Sequence, residues 1–213
     1  MRLWRRVSTW SAPLEGPWRD ARFTVIDVET TGLDLDSDEI VSIGAVDVVQ
    51  GRVDNATSWY QPVRPSCPIA TEALKIHSLT RDELASAPTM PQVIDALHAR
   101  LHGSVLVAHA AWIERAFLNR ALAPLRQRVP EGLVDTAALA RACGRGVEVE
   151  GHEPSLELLA RQLDLPVFTP HHALGDALTT AVLFIVLMGH LERDREPLQV
   201  ADVVRLSRKH AQG

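Results

Sequence analysis

The segment FTVIDVETTGLD, residues 23–34, constrains the chain more than any other stretch. Phe23 to Val28 has the composition of a strand bound for a protein interior, yet Asp27 and Glu29 place two carboxylates one residue apart. Side chains two apart on a strand project from the same face, so both acids share one space if the strand runs that far. Desolvating two neighbouring anions is costly unless one is protonated or a cation joins them. The pair is therefore a raised-pKa dyad, a metal site, or two strand-end acids left in water. An all-oxygen donor set favours magnesium or manganese.

The rest of the chain bounds the setting. Its 213 residues, 46% of them apolar, suit one compact α/β domain with tails. The longest apolar run, Ala181 to Met188, falls well short of the ~20 residues of a membrane helix. The opening MRLWRRVSTWSAPLEG lacks the ~7–15 apolar residues of a secretory signal, so the expected location is the cytoplasm with no membrane partner. Cys67 and Cys143 stand far apart and imply neither a disulfide framework nor a thiolate metal site. A formal charge of −5 argues against a broad basic surface for gripping long duplexes. Of the 22 basic residues 20 are arginine, and Arg115, Arg120, Arg126 and Arg128 lie close together in sequence. Arginine suits bidentate phosphate contacts, and the competing reading of the run is a solvated helix face.

Hydrophobic patterning predicts strands at Phe23 to Val28, Glu39 to Val49 and Arg52 to Tyr60, the last two joined by a QGR turn, as an antiparallel meander. Three prolines make residues 61–70 a loop, and a short helix follows over 71–75. Val93, Ile94, Leu97 and Leu101 recur at helical spacing, SVLVAH is a buried strand, and 111–122 is helical. A short strand at 133–135, a helix at 136–142, a helix capped by Ser155, and a long helix from Ala173 to Met188 complete the order. Strands alternating with helices require parallel crossovers. The expected organisation is an arm over 1–21 carrying Trp4, Trp10 and Trp18, a domain over 22–190, and a helical tail over 191–213.

Two further acids fall where elements begin. In VLVAHAAWIERAFL, Glu114 occupies the first turn of a helix that Phe117 and Leu118 anchor to the core, although a first-turn glutamate also serves simply to offset the helix dipole. In TPHHALGDALTTAVLF, Asp176 opens a helix with buried positions around it. His171 precedes Asp176 by five residues, ~140° away on an ideal helix, so the two serve one site only if His171 lies in the loop before it. Pro170 permits that. Asp135 reads first as an N-cap, and His172 as a surface or capping imidazole.

DVETTGL, AHAAWIERAFL, VDT at 134–136 and HHALGDA, in this order and spacing, resemble the DnaQ-like 3′–5′ exonucleases of the DEDDh group, over about residues 22–190. The resemblance implies an RNase H-like α/β fold: a mixed five-stranded sheet, three antiparallel strands then two parallel, flanked by helices. It also implies two divalent ions, Mg2+ or Mn2+, held by Asp27, Glu29, Glu114 and Asp176, with His171 as general base. Two such ions activate a water and stabilise a leaving 3′ oxygen, and imidazole suits the water's proton. Val28, Thr30, Thr31, Gly32 and Leu33 match the edge for the terminal nucleotide, with His77 and His109 beside it. The implied activity is removal of nucleoside 5′-monophosphates from the 3′ ends of single-stranded DNA or RNA. The implied partners are those ends and a DNA polymerase or another nucleic-acid enzyme.

The chain departs from that pattern at two positions. Relatives carry Asn where Ala110 stands and Asp where Glu114 stands. The charge survives with one methylene more of reach, and a polar contact is lost. The competing function is a binding or polymerase-interaction module that keeps the fold with little or no catalysis.

Overall fold

The computed structural model describes residues 8–9, 14–145, 154–193 and 196–211. Its strands are β1 (Ser8–Thr9), β2 (Phe23–Thr30), β3 (Ile40–Val49), β4 (Arg52–Pro62), β5 (Val105–Ala108), β6 (Gln127–Arg128) and β7 (Val134–Asp135). Its α-helices are α1 (Thr71–Ile76), α2 (Arg81–Ser86), α3 (Met90–Leu101), α4 (Trp112–Leu122), α5 (Thr136–Ala142), α6 (Leu156–Gln162), α7 (Ala173–Glu192) and α8 (Val200–His210). Five strands form one sheet in the order β4-β3-β2-β5-β7. The β4, β3 and β2 ladders are antiparallel and the β2–β5 and β5–β7 ladders parallel, which is the mixed sheet expected.

Side-chain alternation along β2 divides the core. Phe23 and Val25 pack into a layer with α5, α7 and α8, through Leu139, Phe184, Leu187 and Val203, whereas Ile26 and Val28 pack with Leu97, Phe117 and Leu118 of α3 and α4. Asp27 and Glu29 continue the face of Phe23 and Val25, so they emerge under α7. β5, VLVA, is fully buried, as a parallel strand covered on both faces should be. α7 is long and apolar enough to cross a bilayer by length and composition, but more than half of it is buried in the protein, against the sheet.

Several local features lay outside the sequence expectations. α2 was not foreseen, although Thr80 and Glu83 form a full capping box at its start. β1 and β6 make a separate parallel pair, too short for any periodicity to reveal. Ser155 holds the N-cap position of α6, yet its side chain makes no capping bond. Of the arm's tryptophans, Trp4 and Trp10 lie outside the described residues. Trp18 is 1% exposed, its indole donating to Glu192 Oε1 at 2.7 Å and its ring packed edge-on to Phe23 and Phe184. α8 likewise lends Val200, Val203 and Val204 to the core.

Candidate active site

β2 runs on to Thr30, so Asp27 and Glu29 do share a face. Oxygens of Asp27, Glu29 and Asp176 all lie within 4.8 Å of one another. What lets Asp176 reach β2 is a glycine: Gly44 on β3 is the ladder partner of Asp27. A Cβ there would meet the Ala173 carbonyl carbon at 2.1 Å, so the first turn of α7 sits directly on bare backbone. In the next strand Tyr60 is the partner of Gly44, and its ring stacks on His172 with centroids 4.3 Å apart. His172 is the N-cap of α7, its Nδ1 accepting from Gly175 N–H. Thus one row across the sheet, Asp27, Gly44 and Tyr60, seats the helix that carries Asp176.

Glu114, on α4, comes from the opposite layer. It is 3% exposed, and its Oε2 is buried without a hydrogen-bond partner. It is not one of the three tightly clustered acids, but its charge reaches Asp27. Asp27 keeps partial exposure. Even so, the protein packed around it, then the charges of Glu114, Glu29 and Asp176, hold its pKa well above the ordinary carboxylate range. Burial raises Glu114 in the same direction, reinforced by Asp135 and Glu29. Asp176 is pushed up to about 6 by burial and by Glu29, against the opposing pull of the His171 amide and imidazole.

His171 lies in the loop before α7, as its pairing with Asp176 requires. Its φ is 58°, and its backbone N–H donates to Asp176 Oδ2 at 2.9 Å. Its side chain is 60% exposed, with Nε2 at 3.8 Å from Glu157 Oε1. His77 ends α1, and the packing of Leu74, Leu79 and Leu84 on Val41 brings it to the site. Its Nδ1 is 2.5 Å from Glu29 Oε2, within ion-pair distance but without hydrogen-bond alignment.

The expected nucleotide edge is more internally committed than its sequence suggests. Thr30 Oγ1 donates to Gly32 O, while Thr31 Oγ1 donates to Asp38 Oδ1 and accepts from Glu39 N–H. Gly32 lies against the Asp38 carboxylate, where a Cβ would meet Oδ2 at 2.4 Å, so its bareness serves this loop contact. The Val28 side chain is in the core, leaving only its backbone to offer. Leu33, 64% exposed, is free to meet a ligand. His109 is held at both nitrogens, Nδ1 by Thr136 Oγ1 at 2.8 Å and Nε2 by Pro154 O at 2.7 Å. A carbonyl only accepts, so Nε2 carries a proton, and a ligand would have to displace one of these bonds. Asp135 caps α5 through Ala137 N–H and also accepts from Ala110 N–H.

Among the described residues no lysine or arginine pairs with Asp27, Glu29, Glu114 or Asp176. Four acids converge, one oxygen is orphaned, and among the described residues His77 is the basic side chain within ion-pair distance of one of them, while the His171 imidazole acts on Asp176 from farther off. This donor set fits hard divalent cations, which would supply the missing positive charge. Gly44 was missed from the sequence, although a glycine inside the strand-like SIGAVDV signals close backbone approach. Tyr60, Asp38 and Glu157 carried no such signal.

Comparison with known proteins places this geometry in context. A family model described as exonuclease, RNase_T, matches residues 24–184. The chain is 33% identical over 169 residues to the DNA polymerase III subunit epsilon of Treponema pallidum (strain Nichols), covering 79% of this chain and 77% of that one. It is 35% identical over 185 residues to a DNA polymerase III subunit epsilon-like protein of Rhodobacter capsulatus, covering 85% of this chain and 26% of the relative. A PolC-type DNA polymerase III of Clostridium perfringens is 28% identical over 90% of this chain, which spans only 13% of that relative's length. Among solved structures, exonuclease X in complex with 5′ overhanging duplex DNA aligns at a TM-score of 0.63 and 31% identity, over 85% of this chain and 99% of that one.

Proposed function

The chain belongs to the RNase_T exonuclease family, and from that premise we propose that it is a metal-dependent 3′–5′ exonuclease acting on single-stranded DNA or RNA ends and releasing nucleoside 5′-monophosphates. The observation that carries this reading is the cluster of Asp27, Glu29 and Asp176 within 4.8 Å, with no lysine or arginine paired to it among the described residues. Asp27, Glu29, Glu114 and Asp176 are the residues to hold two divalent ions, Mg2+ or Mn2+. When bound, such ions make a water acidic and stabilise charge on the attacking and leaving oxygens of an in-line displacement.

The chain's own groups do the rest. His171, exposed at the mouth of the site and tied by its amide to Asp176, receives the proton of the attacking water. Leu33 packs against the terminal base, and the backbone of Thr30 to Gly32 faces the sugar. His77, beside Glu29, steadies that carboxylate as a strand enters. The folding unit extends from Trp18 through α8, since both ends contribute to the core. Association with a DNA polymerase fits the relatives' names, and the place of action in this reading is the cytoplasm.

The direct test incubates the full chain with 5′-labelled single-stranded DNA and RNA oligomers in magnesium, manganese or chelator and resolves the products. A stepwise ladder that needs metal is expected. Intact oligomers under every condition would overturn the reading, and the ladder's preference for DNA or RNA identifies the substrate.

A further inference from the structure

The arginine run noted in the sequence does not end up as one solvated helix face. α4 stops at Leu122, a 3-10 turn follows over Ala123–Leu125, and Arg126 closes it at φ 55°, its N–H donating to Ala123 O. The chain thereby reverses, and Val129 N–H is tied back to Asn119 Oδ1 on α4 at 2.8 Å. As a result Arg120, Arg126 and Arg128 border one cleft of about 460 Å3 with Asn119, Ala123 and Gln127, and no acidic side chain among the described residues lines it. Among the described residues, the guanidinium groups of Arg126 and Arg128 have neither an acid partner nor a hydrogen-bond acceptor. Arg120 donates to the carbonyl of Leu35 at 2.7 Å and lies over the Phe117 ring, with no acid in ion-pair range.

Three guanidinium groups gathered by a reversed chain, two of them without an acid partner among the described residues and the third, Arg120, near enough to Asp34 to lower its pKa, are complementary to a polyanion. Their link to the carboxylates is short. Leu35 belongs to the loop that leaves β2 directly after the acids and carries Leu33. At ~3.6 Å per residue the path from Glu29 to Leu35 spans at most ~22 Å. A strand stacked at ~3.4 Å per nucleotide covers that in roughly seven nucleotides.

We propose that the cleft of Arg120, Arg126 and Arg128 binds the phosphodiester backbone of a single strand upstream of the 3′ end held at the acidic cluster. This rests on the exonuclease reading for the strand's direction, but the binding itself requires no turnover. The arginines set how tightly longer substrates are held, while short ones engage the acidic site alone.

The test compares the full chain with the R126N/R128Q variant. Asn suits the left-handed conformation at position 126, and both side chains are exposed. Fluorescence anisotropy with a labelled single-stranded 12-mer and 3-mer is run in chelator across a salt series, beside hydrolysis kinetics in magnesium. The 12-mer is expected to bind about tenfold more weakly, with the slope of log affinity on log salt shallower by ~1.4, about 0.7 per lost phosphate contact. Affinity for the 3-mer and kcat should not change, KM for the 12-mer should rise, and the single change R128K, which keeps both charges, should hold the parent's slope. The exposed single change R128Q carries half the slope effect should the double variant melt early. Unchanged 12-mer affinity and slope in folded variants would overturn the proposal, as would displacement by oligo-glutamate but not by oligonucleotide. Arginine-dependent binding without hydrolysis in metal would instead leave this inference standing and refute the exonuclease reading.

Discussion

Gly44 and Ala173 stand closer than any side chain allows: a methyl group on Gly44 would lie 2.1 Å from the Ala173 carbonyl carbon. Gly44 is also the ladder partner of Asp27, so this contact fixes the distance between α7 and the β2 carboxylates. Gly44→Ala must push the first turn of α7 outward by about 1 Å, and displacements of that size cost ~10²-fold in rate. The variant should melt ~1–3 kcal/mol less stably from overpacking and lose metal affinity together with activity. Gly189→Ala, also on α7 but facing open space, is the control and should gain ~0.5–1 kcal/mol with activity intact. Metal titration by calorimetry, with thermal melts, separates the two, and full metal affinity in Gly44→Ala would refute the seating role.

Glu114 is a buried acid whose Oε2 has no partner. In chelator, Glu114→Gln removes its repulsion with Asp27, and the amide can donate to the surrounding carboxylates. That variant should melt ~1 kcal/mol more stably than the parent while losing at least ~10²-fold in kcat, the trade expected where function holds like charges together. A destabilised Glu114→Gln protein would mean that the carboxylate contributes to packing instead.

His171 is 60% exposed and is joined to Asp176 through its backbone, so its imidazole is dispensable for folding. His171→Asn, compatible with φ 58°, should leave the melting temperature within error and lower kcat by ~10²–10⁴, with KM little changed. A rate within twofold of the parent would remove His171 from the chemistry.

The fold was legible because its signals are local and repeated. Phe23 to Val28 is a nearly continuous run bound for the interior, Val93 to Leu101 keeps a period near 3.6, and the capping and turn residues fall between them. The acids were legible for the opposite reason: each breaks the pattern around it, as Asp27 does in a run of buried apolar residues. What escaped depends on distant parts of the chain meeting. Nothing local to Tyr60 foretells His172, and Gly32 invites a nucleotide on paper although Asp38 occupies the space beside it. Trp18, grouped by sequence with an irregular arm expected to pack on the domain or a partner, is in the core, its ring against Phe23 and Phe184 and its indole donating to Glu192. The arginine run looked like one helix face because a two-residue strand and a left-handed turn lie below the length at which pattern carries information.

Crowded carboxylates make stability depend on pH in a definite direction. Asp176 titrates at about 6 in the folded protein against 3.8 ordinarily, and Asp27 and Glu114 are raised as well. The folded state therefore binds more protons than the unfolded state across this window, so stability falls as pH rises. The stabilisation from protonating Asp176 is complete below about pH 4 and is lost as pH rises through about 6. After allowance for solvent screening it is worth ~1–2 kcal/mol. Denaturant melts in chelator between pH 4.5 and 7.5 should give a shallower decline for Asp176→Asn than for the parent, and magnesium at pH 7.5 should restore the parent's loss. Parallel curves for the two proteins would contradict the crowding.

Ala110 takes φ 51°, in the left-handed region, where its N–H donates to the Asp135 carboxylate that also caps α5. Alanine gains nothing there to offset the contact between its Cβ and the backbone, whereas asparagine visits this region readily. The missing asparagine thus has a backbone consequence apart from any lost polar contact. Ala110→Asn should raise stability by ~0.5–1 kcal/mol in chelator, a change measurable by denaturant melts without metal or substrate. The helix that starts at Trp112 and carries Glu114 would then be more firmly entered, so the apparent metal affinity should rise alongside. Ala110→Gly relieves the same strain without adding a polar group. Equal affinity gains in both variants would assign the effect to the backbone, and a gain confined to asparagine would assign it to the amide.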